Sequence, residues 1–368
     1  MTGSHSAIAP SPASTSHADR LNRRLAGVLA VHFDEDRGTP FWLDRQRALG
    51  TDVRRVVRRI EDLSQLGQMT PDDLAGRPLT DFIPRQFHDQ MDRFVVAQTG
   101  GTTGPGVWTA YLEHEFAEAF VTPFVVAAMH VGFPTREPWL YAGPSGPHVI
   151  GKVVRSLANA MGSADPFCID LDPRWARRLP DGSFAQERYL CHVVEQAMGV
   201  IEHQRVGVLF ASPTIIEALA RAMTPEQRRR IHGVHYGGMP LAGDTLERLA
   251  ARDFPNAVHL SGYGNTLFGC CLELGITGPR RHLDYYPFGD RLAIELVDDA
   301  GVPVPDGEPG RVRFTRLDEG FLIVRMLERD HAHRVALPGD PPRGFARHGV
   351  RDPHTPRTET SRPTGGLY

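Results

Sequence analysis

Three features of this 368-residue sequence predict an α/β protein. From about residue 94, short runs rich in β-branched and aromatic residues alternate with stretches of helical spacing, which is typical of a largely parallel sheet covered by helices. After about residue 290 strand patterns follow one another without helices, which predicts a small antiparallel β-barrel or meander. The length is large for one domain, so we expect two α/β lobes beside this barrel.

The composition excludes several kinds of partner. The 41 Lys and Arg against 44 Asp and Glu give a net charge of −3, so no basic excess is present to bind nucleic acid. No apolar run is long enough to suggest a membrane partner. The four cysteines lack the spacing of a zinc site or of a disulfide framework, so we expect a cytoplasmic protein. Lys152 is the only lysine.

Changes in composition divide the chain into segments. We expect a flexible tail over residues 1–20, a helical segment packing on the core over 21–90, an α/β core over 91–285, a β-barrel over 286–336 and a Pro-rich segment over 337–368. The tail has no hydrophobic core of a signal peptide. From Leu337 onward Pro, Gly and Arg dominate, which predicts little regular structure.

Local patterns predict the individual elements. Apolar spacing predicts one amphipathic helix over Asp52–Leu66, and Thr70-Pro71 starts a second. Strands are predicted at Phe94–Ala97, Val206–Phe210, Val234–Tyr236 and Ala257–Leu260, with helices at Thr214–Met223 and Asp244–Ala251. The barrel strands are predicted at Arg291–Val297, Arg311–Leu317 and Phe321–Met326.

Glycine-rich turns follow Ala97, Tyr236 and Leu260, where ligands of parallel sheets bind. The first of these turns combines glycines with hydroxyl side chains over Gln98–Gly106. Glycine amides can surround an anion and threonine hydroxyls add donors, so this turn suits phosphate. It lacks the Gly-Lys-Ser/Thr ending of the common P-loop, and an ordinary surface turn is the alternative.

The order of five segments resembles the adenylate-forming superfamily of acyl- and aryl-CoA ligases, and within it the phenylacetate-CoA ligase branch. The segments are the Gly/Thr turn, Gly237-Gly238, Tyr263-Gly264-Asn265-Thr266, Gly307-Glu308-Pro309-Gly310, and Arg325 followed by Asp330. The resemblance covers about Asp72 to Asp330. It implies the large N-terminal portion of such an enzyme, in two α/β lobes plus a small antiparallel β-barrel, with the C-terminal lid domain absent.

The resemblance also implies site residues. ATP would be bound by Thr99, Gly100, Gly101, Thr102, Thr103, Gly104, Gly238, Met239, Tyr263, Asn265 and Asp330. Thr266 and Arg325 would have catalytic roles, and Gly237 and His148 would contact the acid, although a histidine packed in the core is the alternative for His148. An aromatic face suits adenine, and a carboxylate can accept from both ribose hydroxyls.

Three departures weaken the match to this family. Pro105 stands where the family has a phosphate-loop lysine, and Leu267 replaces a glutamate that helps to hold magnesium. The lysine of the lid domain would be missing as well. Since carboxylate attack on a triphosphate joins like charges, slow adenylation that depends on Mg²⁺ and nearby arginines is expected.

The resemblance implies an ATP-dependent and Mg²⁺-dependent enzyme that converts an aromatic carboxylic acid to acyl-AMP. Truncated relatives that serve antibiotic biosynthesis suggest a phenazine-type acid, a downstream reductase or acyl acceptor protein, and a homodimer. One alternative is a catalytically degenerate protein that binds an aryl metabolite. Another is an acyl-protein synthetase that loads Cys270 or Cys271, although adjacent cysteines are more often buried core residues.

Overall fold

The computed structural model describes residues 17–100, 106–176, 178–180, 182–275 and 282–356. Within these ranges a six-stranded sheet, a five-stranded sheet and a two-stranded hairpin are combined with helices. The predicted α/β fold class is confirmed. None of the helices in these ranges has the length and apolar character needed to cross a bilayer.

The helices and strands have the following bounds. The α-helices are α1 His17–His32, α2 Pro40–Leu49, α3 Val53–Val56, α4 Pro71–Ala75, α5 Glu113–Phe116, α6 Thr122–Val131, α7 Val149–Ala160, α8 Pro173–Ala176, α9 Phe184–His203, α10 Pro213–Ala222, α11 Pro225–Arg229 and α12 Gly243–Arg248. Single π-helical turns at Ala117–Val121 and Leu249–Asp253 extend α5 and α12, and 3-10 segments lie at Ile60–Leu66, Leu79–Phe82, Arg85–Phe87 and Met91–Arg93. The strands are β1 Phe94–Gln98, β2 Trp108–Leu112, β3 Trp139–Gly143, β4 Phe167–Asp170, β5 Val208–Ala211, β6 Gly233–Tyr236, β7 Val258–Asn265, β8 Gly269–Leu272, β9 Asp284–Tyr285, β10 Leu292–Val297, β11 Pro309–Leu317, β12 Leu322–Ala336 and β13 His348–His354.

The six-stranded sheet has the order β4-β3-β5-β6-β7-β8. Its strands are parallel except β8, which runs antiparallel to β7. Leu209 and Val234 face a core shared with α9 and α10, whereas Phe210 and Leu260 face a core shared with α6 and α7. Because helices cover both faces of this sheet, the sequences of strands β5, β6 and β7 are continuous apolar runs.

The five-stranded sheet is antiparallel, with the order β10-β11-β12-β13-β9. Strands β10, β11 and β12 match the predicted barrel strands, although β10 and β12 begin one residue later than predicted and β12 continues well beyond Met326. The expectation of little regular structure after Leu337 was wrong for His348–His354, because β13 pairs with both β12 and β9. The backbone of β13 packs closely on β9 at Gly349, where a Cβ would clash with the Tyr285 carbonyl oxygen. Arg351 Nε lies 2.6 Å from Asp284, and this ion pair also joins β13 to β9.

The single helix predicted over residues 52–66 was also wrong. Helix α3 ends at Val56, and Val57 is extended. The Asp62 carboxylate accepts hydrogen bonds of 2.9 Å from the backbone N–H groups of Arg58 and Arg59, and this starts a separate 3-10 segment. A local side-chain bond therefore competes with the continued helix. Val53, Val57, Leu63 and Leu66 of the predicted apolar stripe are nevertheless buried, and Val56 and Ile60 are partly buried against the same core.

A charged network lies at the centre of the structure, around Asp318. Asp318 is fully buried, and its carboxylate contacts Arg316 at 2.5 Å and Arg291 at 2.6 and 3.0 Å. Arg24 of α1 approaches it at 3.7 Å. Burial opposes ionisation of Asp318, but the guanidinium groups of Arg291 and Arg316 outweigh it and lower the pKa of Asp318 to about 2.

Arg316 carries this network to the β1–β2 hairpin. Its guanidinium donates to Thr109 Oγ1 at 2.8 Å and to the Ala110 carbonyl at 2.6 Å. The guanidinium carbon also lies 3.5 Å from the centre of the Tyr111 ring, which is a close cation–π contact. The hairpin is thus attached to the five-stranded sheet through one buried arginine.

Replacing Asp318 with alanine should strongly destabilise the fold. Asp318→Ala leaves two arginines buried without their counter-ion, so the free energy of unfolding should fall by about 3–5 kcal/mol. Because the native pKa is depressed from an ordinary value of 3.8, the contribution of Asp318 is present above that value and is lost as the pH falls towards 2. Urea unfolding at several pH values measures both effects.

The matched control for that variant is an exposed ion pair. Glu195 lies 2.8 Å from Arg188, and both side chains are more than half exposed. Glu195→Ala should leave the urea midpoint nearly unchanged, because exposed pairs are screened by solvent. Equal losses in the two variants would contradict the central role of the buried network.

Candidate functional site

The turn between β7 and β8, residues 265–268, is the best-defined part of the candidate site. Gly264 lies just before it, where the two strands approach closely. A Cβ at Gly264 would clash with the Gly269 carbonyl oxygen and would lie 2.8 Å from the Cys270 Cα. Only glycine therefore permits this pairing without a backbone shift.

Buried donors hold the carbonyl groups of the 265–268 turn. The Tyr111 hydroxyl donates to the Thr266 carbonyl at 2.8 Å. Arg316 donates to the next carbonyl at 3.2 Å, and Arg291 donates to the Phe268 carbonyl at 2.6 Å. The charged network thus extends directly into this turn, and it fixes the backbone that presents the buried Thr266 side chain.

Tyr263 and Asp330 meet beside that turn. The Tyr263 hydroxyl donates to Asp330 Oδ2 at 3.2 Å, and the Thr355 hydroxyl donates to Asp330 Oδ1 at 2.6 Å. Burial, followed by the charge of Asp330, raises the pKa of Tyr263 well above its usual value, so the phenol remains a neutral donor. Both carboxylate oxygens of Asp330 therefore accept from hydroxyl groups.

Glu328 was missed by the sequence analysis. It lies two residues before Asp330 on β12, and its Oε1 accepts from Asn265 Nδ2 at 2.6 Å. Burial, followed by the charge of Asp330, raises the pKa of Glu328 to about 7. The alternation of side chains along a strand places residues 328 and 330 on one face, and this signal could have found Glu328.

The Gly/Thr turn begins at the end of β1. Thr99 accepts from the Val107 N–H through its hydroxyl at 3.0 Å, and its own N–H donates to the Val107 carbonyl at 2.9 Å. These two bonds close the base of the turn. Gly100 follows Thr99, whereas the predicted phosphate-binding residues Gly101, Thr102, Thr103 and Gly104 lie outside the described residues.

His148 lies near the base of the same turn. The backbone N–H of Gln98 donates to the Pro147 carbonyl at 2.8 Å, and this bond joins the end of β1 to the segment that precedes α7. His148 occupies the N-cap position of α7 and is buried, with 8% of its surface exposed. The predicted acid-binding histidine is therefore close to the predicted phosphate-binding turn.

The predicted residues Gly237, Gly238 and Met239 follow β6, at the carboxyl end of the parallel sheet. Gly238 has a φ of 83°, which favours glycine. A Cβ at Gly237 would lie 3.3 Å from the Phe210 ring, so the backbone there packs closely against an aromatic side chain. This turn lies next to β7 in the sheet, on the same side as the 265–268 turn.

Arg325 lies on β12 with a φ of 50°, and its N–H donates to Thr315 Oγ1 at 3.0 Å. Partial burial, followed by the charge of Arg313, lowers the pKa of Arg325. Among the described residues, no hydrogen bond joins its side chain to Tyr263 or Asp330. Its predicted catalytic role therefore remains a prediction.

The two adjacent cysteines are poor nucleophiles. Cys271 is fully buried, and the Cys270 thiol donates to the Ala119 carbonyl at 3.3 Å. Burial raises the pKa of Cys270 to about 12 and that of Cys271 well above its usual value. Because the thiolate is the reactive form, these positions do not favour acyl transfer to cysteine.

The part of the chain that the structure describes contains no group of three or more His, Cys, Asp or Glu side chains that could hold a metal ion. Magnesium in nucleotide sites is commonly bound by one or two carboxylates together with phosphate oxygens and water.

Solved structures of acyl-CoA ligases are similar to this chain, whereas no protein-family model and no curated protein matches it. The 2-hydroxyisobutyryl-CoA ligase in complex with 2-HIB-AMP and CoA in the thioesterification state is 15% identical with a TM-score of 0.63, over 90% of this chain and 66% of that one. An open conformation of this ligase with the same ligands is also 15% identical, with a TM-score of 0.63 over 93% of this chain and 78% of that one. Its post-adenylation state with R3-HIB-AMP is 15% identical, with a TM-score of 0.62 over 93% of this chain and 70% of that one.

This chain has the fold of an acyl-CoA ligase. It spans only 66% to 78% of the length of those three structures. The fold that the sequence resemblance implied is thus confirmed.

Substitution of Gly264 should disrupt the β7–β8 pairing. Gly264→Ala forces the Cβ against backbone atoms, so we expect a loss of about 2 kcal/mol or more in the free energy of unfolding. Gly27→Ala in α1 is the matched control, since a Cβ there meets nothing within 4 Å. The control should be neutral or slightly stabilising. Denaturant unfolding compares the two, and equal stability would contradict the close approach at Gly264.

Alkylation should separate the cysteines into two classes. Iodoacetamide should modify the exposed Cys168 and Cys191 in the native protein, but not Cys270 and Cys271. All four should react after denaturation. Peptide mapping by mass spectrometry checks this pattern, and rapid native modification of Cys271 would contradict its burial.

Proposed function

We propose that this protein is an ATP-dependent ligase that converts a carboxylic acid to acyl-AMP. The observation that carries the proposal is the meeting of Tyr263 and Asp330 at 3.2 Å beside the Thr266 turn. These residues combine an aromatic ring and a carboxylate at one site. The similar structures of 2-hydroxyisobutyryl-CoA ligase, whose ligand is 2-HIB-AMP, support it through their fold.

The donor and acceptor set at this site fits a nucleoside. Asp330 already accepts from two hydroxyl groups, one on each oxygen, which is the pattern that two vicinal ribose hydroxyls require. The neutral Tyr263 ring offers an aromatic face for a purine. Thr266 would donate its hydroxyl to the α-phosphate from a turn whose backbone is already fixed, so little reorganisation would be needed on binding.

The phosphates require positive charge that the described residues supply only in part. Thr99 and Gly100 would orient the phosphates through neutral donors, and Arg325 would contribute a cation. Magnesium bound through phosphate oxygens and water would supply the remaining charge. Since carboxylate attack on a phosphate joins like charges, we expect adenylation to be slow and strictly dependent on Mg²⁺.

An aromatic acid is the proposed substrate class. Gly237 lies against Phe210, whose ring centre is 5.3 Å from that of Tyr141 and 4.4 Å from that of His235. Burial lowers the pKa of His235 to about 4. These rings are buried in the core beneath the Gly237 turn, so the support for a flat aryl carboxylate, including one as wide as a phenazine, is the resemblance in sequence, with His148 near its carboxylate. The acyl group would then pass to a reductase or to an acyl acceptor protein.

Exchange of labelled pyrophosphate into ATP tests the proposed reaction. Aromatic carboxylic acids should stimulate the exchange at ample Mg²⁺ more than aliphatic acids of similar size. Asp330→Ala should raise the KM for ATP by about 10- to 100-fold, because hydrogen bonds to a charged acceptor are lost. The exposed Asp340→Ala serves as control and should leave KM unchanged. Absence of exchange with every acid would contradict the proposal.

A catalytically degenerate protein that binds an aryl metabolite is the second candidate. Leu267, which replaces the family's magnesium-binding glutamate, is 4% exposed and packs into the core. The single lysine, Lys152, is exposed on α7. Titration calorimetry distinguishes the two candidates, because aryl-acid binding without any ATP binding would favour this second function.

A further inference from the structure

We infer that Glu328 is a positioning residue of the nucleotide site, which acts through Asn265 on the turn that presents Thr266. The inference rests on the proposed function, since it concerns how that site is held in its working geometry. Its starting point is the 2.6 Å contact between Asn265 Nδ2 and Glu328 Oε1.

The orientation of the Asn265 amide follows from its own contacts. Its Oδ1 accepts from the N–H groups of Leu267 at 2.9 Å and Phe268 at 3.1 Å. The opposite end of the amide must then be the NH₂ group, which can only donate. Glu328 supplies the acceptor that this end requires, and an exchanged orientation of the amide would lose all three hydrogen bonds.

The N–H side of the turn depends on Asn265 in the way that the carbonyl side depends on the charged network. Tyr111, Arg316 and Arg291 fix the three carbonyl groups, but they make no contact with the N–H groups of Leu267 and Phe268. If Glu328 no longer accepted from Asn265, the amide could rotate away from these N–H groups. The direction of the neighbouring Thr266 hydroxyl would then be less well defined.

Glu328 also makes the site sensitive to pH. The charged groups that act on it are Asp330, Arg329 and Arg311, and the neutral Tyr263 phenol of β7 also interacts with it. Burial, followed by the charge of Asp330, raises the pKa of Glu328 to about 7. An ionised carboxylate accepts from an amide more strongly than a neutral acid does. The hydrogen bond from Asn265 to Glu328 should therefore become stronger as the pH rises through 7, and adenylation should become faster.

The free energy of unfolding should show the opposite trend and fall as the pH rises. The native pKa of Glu328 is raised above its ordinary value of 4.5, so the folded protein binds the proton more tightly than the unfolded chain. The contribution of this residue to stability is complete below about pH 4.5 and is lost as the pH rises through 7. Glu328→Gln should remove this loss, so the variant should gain stability relative to wild type between these pH values. This readout does not depend on ATP.

Variants at the two positions test the inference in the pyrophosphate exchange assay. Glu328→Ala and Asn265→Ala should each lower kcat by about tenfold, with little change in the KM for the acid. The double variant should be no worse than either single variant, because both changes remove the same support. Glu328→Gln retains an acceptor, so it should keep most of the activity while losing the rise in kcat through pH 7. The exposed Glu308→Ala is the control and should behave as wild type.

The outcomes separate the two proposals. An active wild type with unchanged kcat in Glu328→Ala would overturn this inference alone, and so would additive losses in the double variant. If Glu328→Ala fails to fold, the Glu328→Gln profile decides: an unchanged rise of kcat through pH 7 would overturn the inference. A wild type that exchanges no pyrophosphate with any acid would contradict the proposed function, and this inference with it.

Discussion

The buried contact between Asp318 and its arginines is the constraint on which the rest of this structure depends. A charge removed from water is tolerated only when it is paired and its remaining hydrogen-bonding groups are satisfied. Asp318 meets that requirement because Arg291, Arg316 and Arg24 all lie close to its carboxylate. Each arginine belongs to a different part of the chain, so satisfying one carboxylate fixes the relative positions of α1, β11 and the segment before β10.

The candidate site follows from this arrangement. Arg316 and Arg291 have donors left over after they bind Asp318, and these donors reach the carbonyl groups at the end of β7. The turn that carries Thr266 is therefore an extension of the charged core and not an independent loop. Asp330 and Glu328 lie on β12, which pairs with the strand that carries Arg316. A preorganised backbone of this kind suits electrostatic catalysis, because the polar groups are oriented before the substrate arrives.

The features that sequence predicts well here are those that depend on neighbours in the chain. Apolar runs located β5, β6 and β10, and glycines located the turn beside Gly264. The sequence failed where a distant or local polar contact overrides propensity. Asp62 interrupts a helix that apolar spacing favours, and β13 forms because β12 and β9 flank it. The pairing of Arg316 with Thr109 spans 207 residues, and no local pattern indicates it.

The separation of these partners in sequence has a consequence for synthesis in the cell. The Leu317 carbonyl that Arg24 contacts is synthesised 293 residues after it. On the ribosome, Arg24 therefore lacks this partner until residue 317 has emerged, and Thr109 likewise lacks Arg316 until 207 more residues have been added. Contacts of such long range form slowly, and the exposed intermediates favour aggregation. We therefore expect slower translation or a larger supply of chaperones to raise the yield of folded protein more than for a chain of the same size with mostly local contacts.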